Sequence, residues 1–324
     1  MIPFQAITPS DKQLITSYTL PSGQQDCDLS FANLCSWQFM SESAFAVIDR
    51  RLVLRFTNED RLHEYFMPIG DGNLIPIVDK LSEQANAEKE PLILRGILPG
   101  TRETLEQYYP TLFEYTANRD YFDYIYRRQD LAELKGKHYQ PKRNHVNKFK
   151  KEYRYEYLPL TPELIPECLQ FEAEWCMKHG CEENENIRDE RQALTFALDH
   201  YNELSLSGAV IRVEGKVAAF TFGAPISNDT FGIHFEKADI SLDGSYSIIN
   251  QLFASSLPEQ YIWLNREEDM GIPGLRQAKT SYHPVKPLEK LKAVKLKAWR
   301  KLPAFITSLP TETHGKRALS AQKK

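Results

Sequence analysis

The stretch that decides the fold is residues 229–283, DTFGIHFEKADISLDGSYSIINQLFASSLPEQYIWLNREEDMGIPGLRQAKTSYH. Its order of apolar and polar residues predicts a strand, a polar loop, a helix, a second strand, a glycine-rich turn and a basic helix. The polar residues lie where the predicted strands end and the helices begin. Ligands of α/β sheets bind at such strand ends, so we expect the functional site within this stretch.

The same order of elements is predicted twice. A hairpin, a strand, a helix, a strand and a second helix follow one another over residues 44–112 and again over residues 208–282. The repeat predicts an α+β protein with two similar units, each a mixed, mostly antiparallel sheet flanked by helices. We place an N-terminal domain at 1–150, a C-terminal domain bearing the site at 151–295, and a basic, partly disordered tail at 296–324.

The composition is that of an ordinary globular protein of 324 residues, with 42% hydrophobic and 26% charged residues. The formal net charge of −4 is small, but basic residues concentrate in two segments, 135–154 and 286–301. Such segments suit an anionic partner, which could be a phosphate group, an RNA or a membrane surface.

The N-terminus and the cysteines bear on the cellular compartment. The opening residues, MIPFQAITPSDK, lack the basic and apolar regions of a signal peptide, and no apolar run approaches the ~20 residues that span a bilayer. The five cysteines form no disulfide framework, which predicts reduced thiols and a cytoplasmic location. The spacing of Cys176, His179 and Cys181 is wrong for a zinc knuckle, so we predict no metal site.

The polar loop 236–245 follows a predicted strand and precedes a helix. Its small and polar residues would let backbone N–H groups approach a phosphate, and the helix N-terminus adds a favourable dipole. The donor-binding candidates in and near this loop are Lys237, Asp243, Gly244, Ser245, Arg266 and Arg276. The alternative is a plain loop in which Asp243 or Ser245 caps the helix.

Arg276 and Lys279 are three residues apart on the predicted basic helix, so they share one face. The two cations could hold a phosphate or a carboxylate, or Lys279 could polarise a carbonyl oxygen. Asp269 comes soon after an apolar strand, where a carboxylate could accept a proton from an amine nucleophile. The alternative for the helix is a solvated basic face.

His234 and Glu236 lie on the predicted strand FGIHFEKA, where strict alternation places them on one face. His234 is either a buried, hydrogen-bonded histidine or a general base, and Glu236 is a second candidate proton acceptor. The catalytic candidates are therefore Lys279, Glu236, Asp269 and His234.

The first basic segment, KGKHYQPKRNHVNKFKK (135–151), interleaves cations with aromatic and amide side chains. This mixture suits contacts with phosphates and exposed bases. The candidates for binding a nucleic acid or phosphate are Lys142, Arg143, Asn144, Asn147 and Lys148. The alternative is a solvated helix between the domains.

In the second basic segment, Leu288, Leu291, Val294 and Ala298 share one helical stripe opposite a lysine face. The pattern predicts a basic amphipathic helix that could lie on an anionic lipid surface or on RNA. A peripheral membrane location is therefore the second prediction for the compartment. The alternative is a solvated helix docked on its own domain.

Three strings of the chain together carry a resemblance to a known family. They are HFEKADISLDGSYSIINQLF (234–253), YIWLNREEDMGIPGLRQAKTSYHPV (261–285) and LKGKHYQPKRNHVNKFKK (134–151). Over about residues 1–295 the chain resembles a bacterial family (DUF2156) related to the C-terminal domain of phosphatidylglycerol lysyltransferases. The resemblance implies two tandem GNAT-like (acetyltransferase-like) domains, as in Fem-type aminoacyltransferases.

In the lysyltransferases, an aminoacyl-tRNA donates its amino acid to a lipid hydroxyl. Their motif of Leu, Arg, two further residues and Lys, followed by an aromatic, an acidic residue and Pro, resembles the stretch from Leu275 to Pro284, and Lys279 matches its lysine. An Asp and an Arg of the lysyltransferases align with His234 and Lys237 in this chain.

The residues and the resemblance together predict an acyltransferase. It would move an aminoacyl group from aminoacyl-tRNA, or an acyl group from acyl-CoA, to an amine or a hydroxyl. We expect no tightly bound cofactor, since CoA or aminoacyl-tRNA would be the donor substrate, and tRNA would be the partner. The alternative is a catalytically inactive tandem-GNAT module that binds RNA or an anionic membrane surface.

Overall fold

The computed structural model describes residues 1–178, 180 and 184–296. The strands are β1 (Gln5–Ala6), β2 (Ala44–Ile48), β3 (Arg51–Thr57), β4 (His63–Phe66), β5 (Ile69–Gly70), β6 (Ile93–Ile97), β7 (Phe113–Ala117), β8 (Asp123–Arg127), β9 (Tyr155–Pro159), β10 (Ser207–Val213), β11 (Lys216–Pro225), β12 (Thr230–Ala238), β13 (Trp263–Asn265), β14 (Lys286–Leu288) and β15 (Leu291–Lys295). The α-helices are α1 (Lys12–Thr19), α2 (Phe31–Ser36), α3 (Gln38–Ser41), α4 (Leu74–Glu88), α5 (Pro99–Tyr108), α6 (Arg128–Glu133), α7 (Gln140–Glu152), α8 (Ile165–Lys178), α9 (Glu185–Asp199), α10 (Ser245–Ser256) and α11 (Pro273–Thr280). Short 3-10 helices lie at Pro9–Asp11, Leu20–Ser22, Cys27–Leu29, Arg119–Tyr121 and Pro162–Leu164.

Within the described residues the strands form two sheets. The first has the order β1-β2-β3-β4-β6-β15-β7, with β5 paired to β3, and the second has the order β14-β8-β13-β12-β11-β10-β9. Most neighbours are antiparallel, whereas β4 with β6 and β12 with β13 are parallel. The predicted fold class is thereby confirmed: the protein is α+β, with two mixed sheets flanked by helices.

Each sheet contains one strand from the half of the chain that mainly forms the other sheet. β8 lies between β13 and β14 of the second sheet, although its residues precede position 150. β15 lies between β6 and β7 of the first sheet, although its residues come near the end of the described chain. The two sheets therefore exchange strands, and the domain boundary at 150 stays a prediction.

The predicted basic helix over 286–301 is wrong where the structure describes it, because this segment forms β14 and β15. Leu291 and Ala293 are buried, so apolar and less buried residues alternate along β15. In so short a segment the apolar spacing fits both a helix and a strand, and pairing with β6 and β7 selects the strand. The argument for a lipid-binding helix therefore fails over residues 286–295.

Helical spacing of apolar residues explains how the helices near the site pack. Val146 and Phe149 are three apart on α7, and Ile249 and Phe253 are four apart on α10, so each pair lies on one helix face. All four are buried against one face of the second sheet. The opposite face of that sheet joins the core of the first sheet.

A buried cation joins the two sheets. The ammonium of Lys290, in the link between β14 and β15, lies 2.9 Å from Asp123 of β8 and 3.3 Å from Asp26. Beside them, Arg95 of β6 pairs with Asp28 at 2.5 Å. Burying an isolated charge is costly, so these carboxylates are what makes the burial of Lys290 tolerable.

The cysteines differ in part from the prediction. Three buried cysteines among the described residues are free thiols, as expected. Cys176 is instead disulfide-bonded, so the prediction that all thiols are reduced is wrong for this residue. Sequence spacing does not reveal such a bond, because it depends on two Cβ atoms coming within about 4.5 Å. His179, Cys181 and the tail from residue 297 onward lie outside the described residues.

None of the helices that the structure describes combines the length and the apolar character needed to cross a membrane.

Replacing Lys290 with Met should lower the free energy of unfolding by about 3–5 kcal/mol, because buried carboxylates then lack their cation. Urea unfolding followed by circular dichroism measures the change. Lys80→Met is the matched control: Lys80 pairs with Asp49 at 2.7 Å, but both side chains are about half exposed. The control should lose no more than about 1 kcal/mol. Equal losses for both variants would contradict the role of Lys290.

Candidate functional site

The candidate site lies where two parallel strands part. β12 and β13 pair only between residues 230–232 and 263–265. Beyond this point β12 continues to Ala238, while the chain leaves β13 as the loop 266–269. The gap is therefore at the carboxyl ends of two parallel strands, which is where α/β sheets bind ligands.

Asn265 and the loop 266–269 connect this gap to the rest of the protein. Five successive side chains contact five different partners: Asn265 contacts Asp123 (2.7 Å), Arg266 contacts Glu236 (3.0 Å), Glu267 contacts His234 (2.8 Å), Glu268 contacts the thiol of Cys27 (3.2 Å) and Asp269 contacts Arg276 (2.7 Å). The side chains of the segment thus include or contact five of the predicted site residues, namely Arg266, Asp269, Glu236, His234 and Arg276.

Lys279 holds the loop in place. Its ammonium donates to the backbone carbonyls of Arg266 (2.6 Å) and Glu268 (2.5 Å). Its own carbonyl accepts a hydrogen bond from the hydroxyl of Tyr126 at 2.7 Å. Burial lowers the pKa of Lys279, because it disfavours the charged form. Two of the three ammonium donors are used by the loop, so this geometry makes Lys279 a positioning residue.

A cluster of buried and half-buried polar side chains, which we call the chamber, lies between β12, α7, α10 and the loop. Glu236 of β12 accepts from Arg266 at 3.0 Å and from Asn250 of α10 at 3.4 Å. Two cations lie near the ring of Tyr282: the Arg266 guanidinium is 5.0 Å and the ammonium of Lys142 is 4.0 Å from its centroid. The structure therefore brings together two predicted donor or phosphate ligands and one predicted proton acceptor.

Two buried polar atoms in this chamber have no hydrogen-bond partner among the described residues. They are Nη1 of Arg266, a donor, and Oδ1 of Asn250, an acceptor. A buried polar atom without a partner costs about 1–3 kcal/mol, so each one needs an explanation, which can be strain, a catalytic role or a bound water or ion. Each atom belongs to a side chain that donates to the carboxylate of Glu236 through a different atom, a nitrogen.

Burial and the nearby Arg266 charge lower the pKa of Lys142 to about 8. Lys142 therefore remains mainly charged at neutral pH. Sequence reasoning found Lys142, Arg266 and Glu236 but missed Asn250 and Tyr282. Asn250 is fully buried on the apolar face of α10, and a polar residue among apolar ones on a helix face was the signal that could have revealed it.

Arg276 and Asp269 form a tight pair that leaves neither side chain directed at the chamber. The guanidinium donates to both carboxylate oxygens at 2.8 and 2.7 Å, and it also contacts Asp120 at 2.5 Å. Burial alone would raise the pKa of Asp269, but hydrogen bonds from Arg276, from the Tyr124 hydroxyl and from the N–H of Gly271 lower it to about 2. A carboxylate with so low a pKa is a weak proton acceptor, which leaves Glu236 as the better candidate.

His234 is the extra residue of a β-bulge, since Phe222 pairs with Phe235 and Gly223 with Ile233. The bulge interrupts the alternation along β12, so the prediction that His234 and Glu236 share a face is wrong. Strict period-two reading cannot reveal a bulge, because the extra residue leaves no mark in the pattern of residue types.

The bulge directs His234 into a buried hydrogen-bonded chain. Its Nδ1 lies 2.8 Å from Oε1 of Glu267, and its Nε2 lies 2.8 Å from Oγ of Ser30. The order Ser, His, Glu resembles a hydrolytic triad. Ser30 and Glu267 occupy both ring nitrogens of His234, and Ser30 is 0% exposed. Of the two roles predicted for His234, the geometry favours a buried, hydrogen-bonded histidine over a general base.

The loop before α10 is held against α7. Asp243 pairs with Lys148 at 2.7 Å. Gly244 has a φ of +90°, and a Cβ there would lie 2.4 Å from the carbonyl oxygen of His145, so only glycine fits. The hydroxyl of Ser245 donates to a carbonyl within the loop at 2.7 Å. These side chains are used internally, so a phosphate at this loop would meet the backbone N–H groups of α10.

Lys237 and Arg143 also have partners within the protein. Lys237 lies on the opposite side of the second sheet, 2.7 Å from Glu190 of α9 and 3.7 Å from the ring of Trp175. Arg143 donates to backbone carbonyls of the preceding connection, at 2.7 Å for Gly136. Neither reaches the chamber. Of the remaining α7 candidates, Asn144, Asn147 and Lys148 are exposed, and Lys148 is the one that pairs with Asp243.

The buried carboxyl group of Glu268 on the loop predicts a dependence of protein stability on pH. Burial raises the pKa of Glu268 from an ordinary value near 4.5 to about 7. Folding therefore favours the protonated form, and this contribution to stability is lost as the pH rises through the folded-state pKa. From about pH 5 to about pH 8, the unfolding free energy of wild type should fall relative to that of Glu268→Gln.

Urea titrations at several pH values test this expectation. The control is Glu106→Gln, because Glu106 pairs with Arg102 on the exposed surface of α5. Its pH profile should follow that of wild type. Identical pH slopes for wild type and Glu268→Gln would contradict the assignment.

Comparison with known proteins bears on the family and the fold. Among curated proteins, none matches the chain in sequence. The crystal structure of a conserved protein of unknown function from Bacteroides thetaiotaomicron VPI-5482 is 50% identical, covers 91% of this chain and 100% of its own, and superposes with a TM-score of 0.89. L-PGS from Bacillus licheniformis is 14% identical with a TM-score of 0.63, over 92% of this chain and 94% of its own. FemX is 9% identical with a TM-score of 0.58, over 91% and 98%.

The last two similarities concern the fold, which is that of tandem GNAT-like proteins, as predicted. The family described as phosphatidylglycerol lysyltransferase, C-terminal, matches residues 21–293. This match confirms the predicted relationship. The chain therefore belongs to the family of phosphatidylglycerol lysyltransferase C-terminal domains.

Proposed function

We propose that the protein is an aminoacyltransferase that moves an aminoacyl group from aminoacyl-tRNA to an amine or hydroxyl acceptor. The main supporting observation is the chamber around Glu236. There Arg266 has a hydrogen-bond donor without a partner, Asn250 has an acceptor without a partner, and both side chains contact the carboxylate of Glu236. An α-amino ester has a matching pair of groups, a carbonyl oxygen that accepts and an ammonium that donates. The family and the Fem-like fold support the same class of reaction.

The residues of the chamber suggest how the transfer would proceed. The acceptor amine or hydroxyl attacks the carbonyl carbon of the aminoacyl ester, and Glu236 takes the proton that the nucleophile loses. Nη1 of Arg266 and the ammonium of Lys142 face the oxyanion that forms. The bond between the carbonyl carbon and the ribose oxygen then breaks, and the ribose oxygen receives the proton.

Helix α7 supplies the contact to tRNA in this proposal. Its inner face carries Lys142 into the chamber, and Val146 and Phe149 anchor it on the sheet. Its outer face exposes further cations, including Lys150 and Lys151. A tRNA phosphate backbone bound along this outer face would lie close to Lys142, because both are on one helix of thirteen residues.

Filter binding with bulk tRNA should detect an affinity that falls steeply with salt, since phosphate contacts release counterions. The double variant Lys150→Ala/Lys151→Ala should weaken binding and reduce the salt slope by about one per lysine. The control is Lys80→Ala, an exposed lysine of α4 in the first half of the chain. Absence of binding at low salt would overturn the tRNA donor and leave acyl-CoA, for which salt should matter much less.

Transfer of labelled amino acids from bulk aminoacyl-tRNA to lipid extract and to small amines tests the chemistry. Glu236→Gln should lower the rate by about 10²–10⁴-fold, because the proton acceptor is lost, while tRNA affinity stays within about tenfold. Glu106→Gln is the control and should transfer as wild type does, since Glu106 pairs with Arg102 on the exposed surface of α5 and is not part of the chamber. Binding of tRNA without transfer to any acceptor by wild type would favour the inactive RNA-binding module instead.

A further inference from the structure

Two groups of side chains among the described residues bring ligand atoms close enough to hold a metal ion. In the first group, Asp26, Cys27 and Asp123, the position of a cation is already taken by the ammonium of Lys290, 2.9 Å from Asp123 and 3.3 Å from Asp26. The second group is His63, at the start of β4, with Glu88 and Glu90 at the end of α4 and just beyond it.

The second group has the spacing of a coordination sphere. Nδ1 of His63 lies 3.1 Å from Oε2 of Glu88 and 3.2 Å from Oε2 of Glu90. In a tetrahedral zinc site with bonds of about 2.0–2.1 Å, neighbouring ligand atoms are roughly 3.3 Å apart. The ligand atoms of Glu88 and Glu90 lie within 4.8 Å of each other, so the three residues need little movement to share one ion.

The charge of the group also calls for a cation. Over the described part of the chain, His63 is the only basic side chain that pairs with Glu88 or Glu90. All three side chains are about one-fifth to one-quarter exposed, so an ion can reach them although much of the surrounding water is excluded. Two carboxylates facing one imidazole in such a place leave a negative charge that a divalent ion would neutralise.

Other hydrogen bonds orient the two carboxylates. Oε1 of Glu88 accepts from the side-chain amide of Gln84 at 2.5 Å, and Oε2 is 3.4 Å from the hydroxyl of Tyr65. Oε2 of Glu90 accepts from the backbone N–H of His63 at 2.9 Å. Partners of this kind hold ligands in position in metal sites and affect metal affinity strongly.

We propose that His63, Glu88 and Glu90 bind a divalent transition-metal ion of the zinc type, with water in the remaining position. One nitrogen and two carboxylate oxygens suit zinc better than magnesium, which prefers oxygen ligands in an octahedral arrangement. The ion joins the C-terminal end of α4 to the start of β4. It is remote in sequence from the chamber around Glu236 and independent of the transfer reaction.

Titration calorimetry of the full chain with ZnCl2, paired with thermal melting, tests the site. Wild type should bind zinc and melt at a higher temperature in its presence. His63→Ala should lose this binding, and Glu88→Gln and Glu90→Gln should each weaken it at least about tenfold. Glu90→Gln retains an oxygen that can accept from the His63 N–H, so it decides the question if His63→Ala fails to fold.

Two controls isolate the site. His200→Ala removes another histidine beside a glutamate, Glu203 at 2.7 Å, but on an exposed helix end with no second carboxylate in the pair, so zinc binding should be unchanged. Cys27→Ser should also leave binding unchanged, because Lys290 already fills that group. No zinc binding by wild type, undiminished binding by Glu90→Gln, or equal affinity for MgCl2 would each overturn the proposal.

Discussion

The ammonium of Lys279 supplies hydrogen-bond donors to two carbonyls of a loop that has left the sheet. A backbone that leaves a sheet loses its ladder partners, and buried carbonyls must find others. Lys279 takes that role for Arg266 and Glu268. Between them Glu267 adopts a φ of +56°, a conformation that a non-glycine residue holds only when its surroundings enforce it. The directions of five successive side chains depend on this arrangement.

Cations that maintain the structure are fully paired with carboxylates, whereas a cation available to a ligand keeps an unused hydrogen-bond donor. Arg276 is bound by two carboxylates, and Lys290 lies among three. Lys237 is paired as well. Arg266 differs, because one of its buried nitrogens has no partner among the described residues while the other holds Glu236. The Arg266 guanidinium therefore has an unused hydrogen-bond donor as well as a full positive charge, and both would stabilise a transient anion in the chamber.

Much of the fold could be predicted from sequence, since hairpins and helices depend on local periodicity and turn residues. The site was predicted less completely. Helical spacing correctly indicates that Arg276 and Lys279 are neighbours, but it does not indicate that both turn towards partners in the preceding loop. The bulge at His234 and the strand at 291–295 depend on pairing with distant strands, which no local pattern encodes. Asn250 gave a usable signal, a polar residue on an otherwise apolar helix face.

The position of β15 has a consequence for biosynthesis. This strand lies inside the first sheet and pairs on both sides, with β6 and with β7. During translation β6 and β7 are made early, whereas β15 is made after the entire second half of the chain. The first sheet therefore cannot close while the ribosome is still adding those residues, and two strand edges stay unpaired in the meantime. N-terminal domains commonly fold first during synthesis. In this protein neither sheet is complete until residues 286–295 have been made, because β14 belongs to the second sheet and β15 to the first.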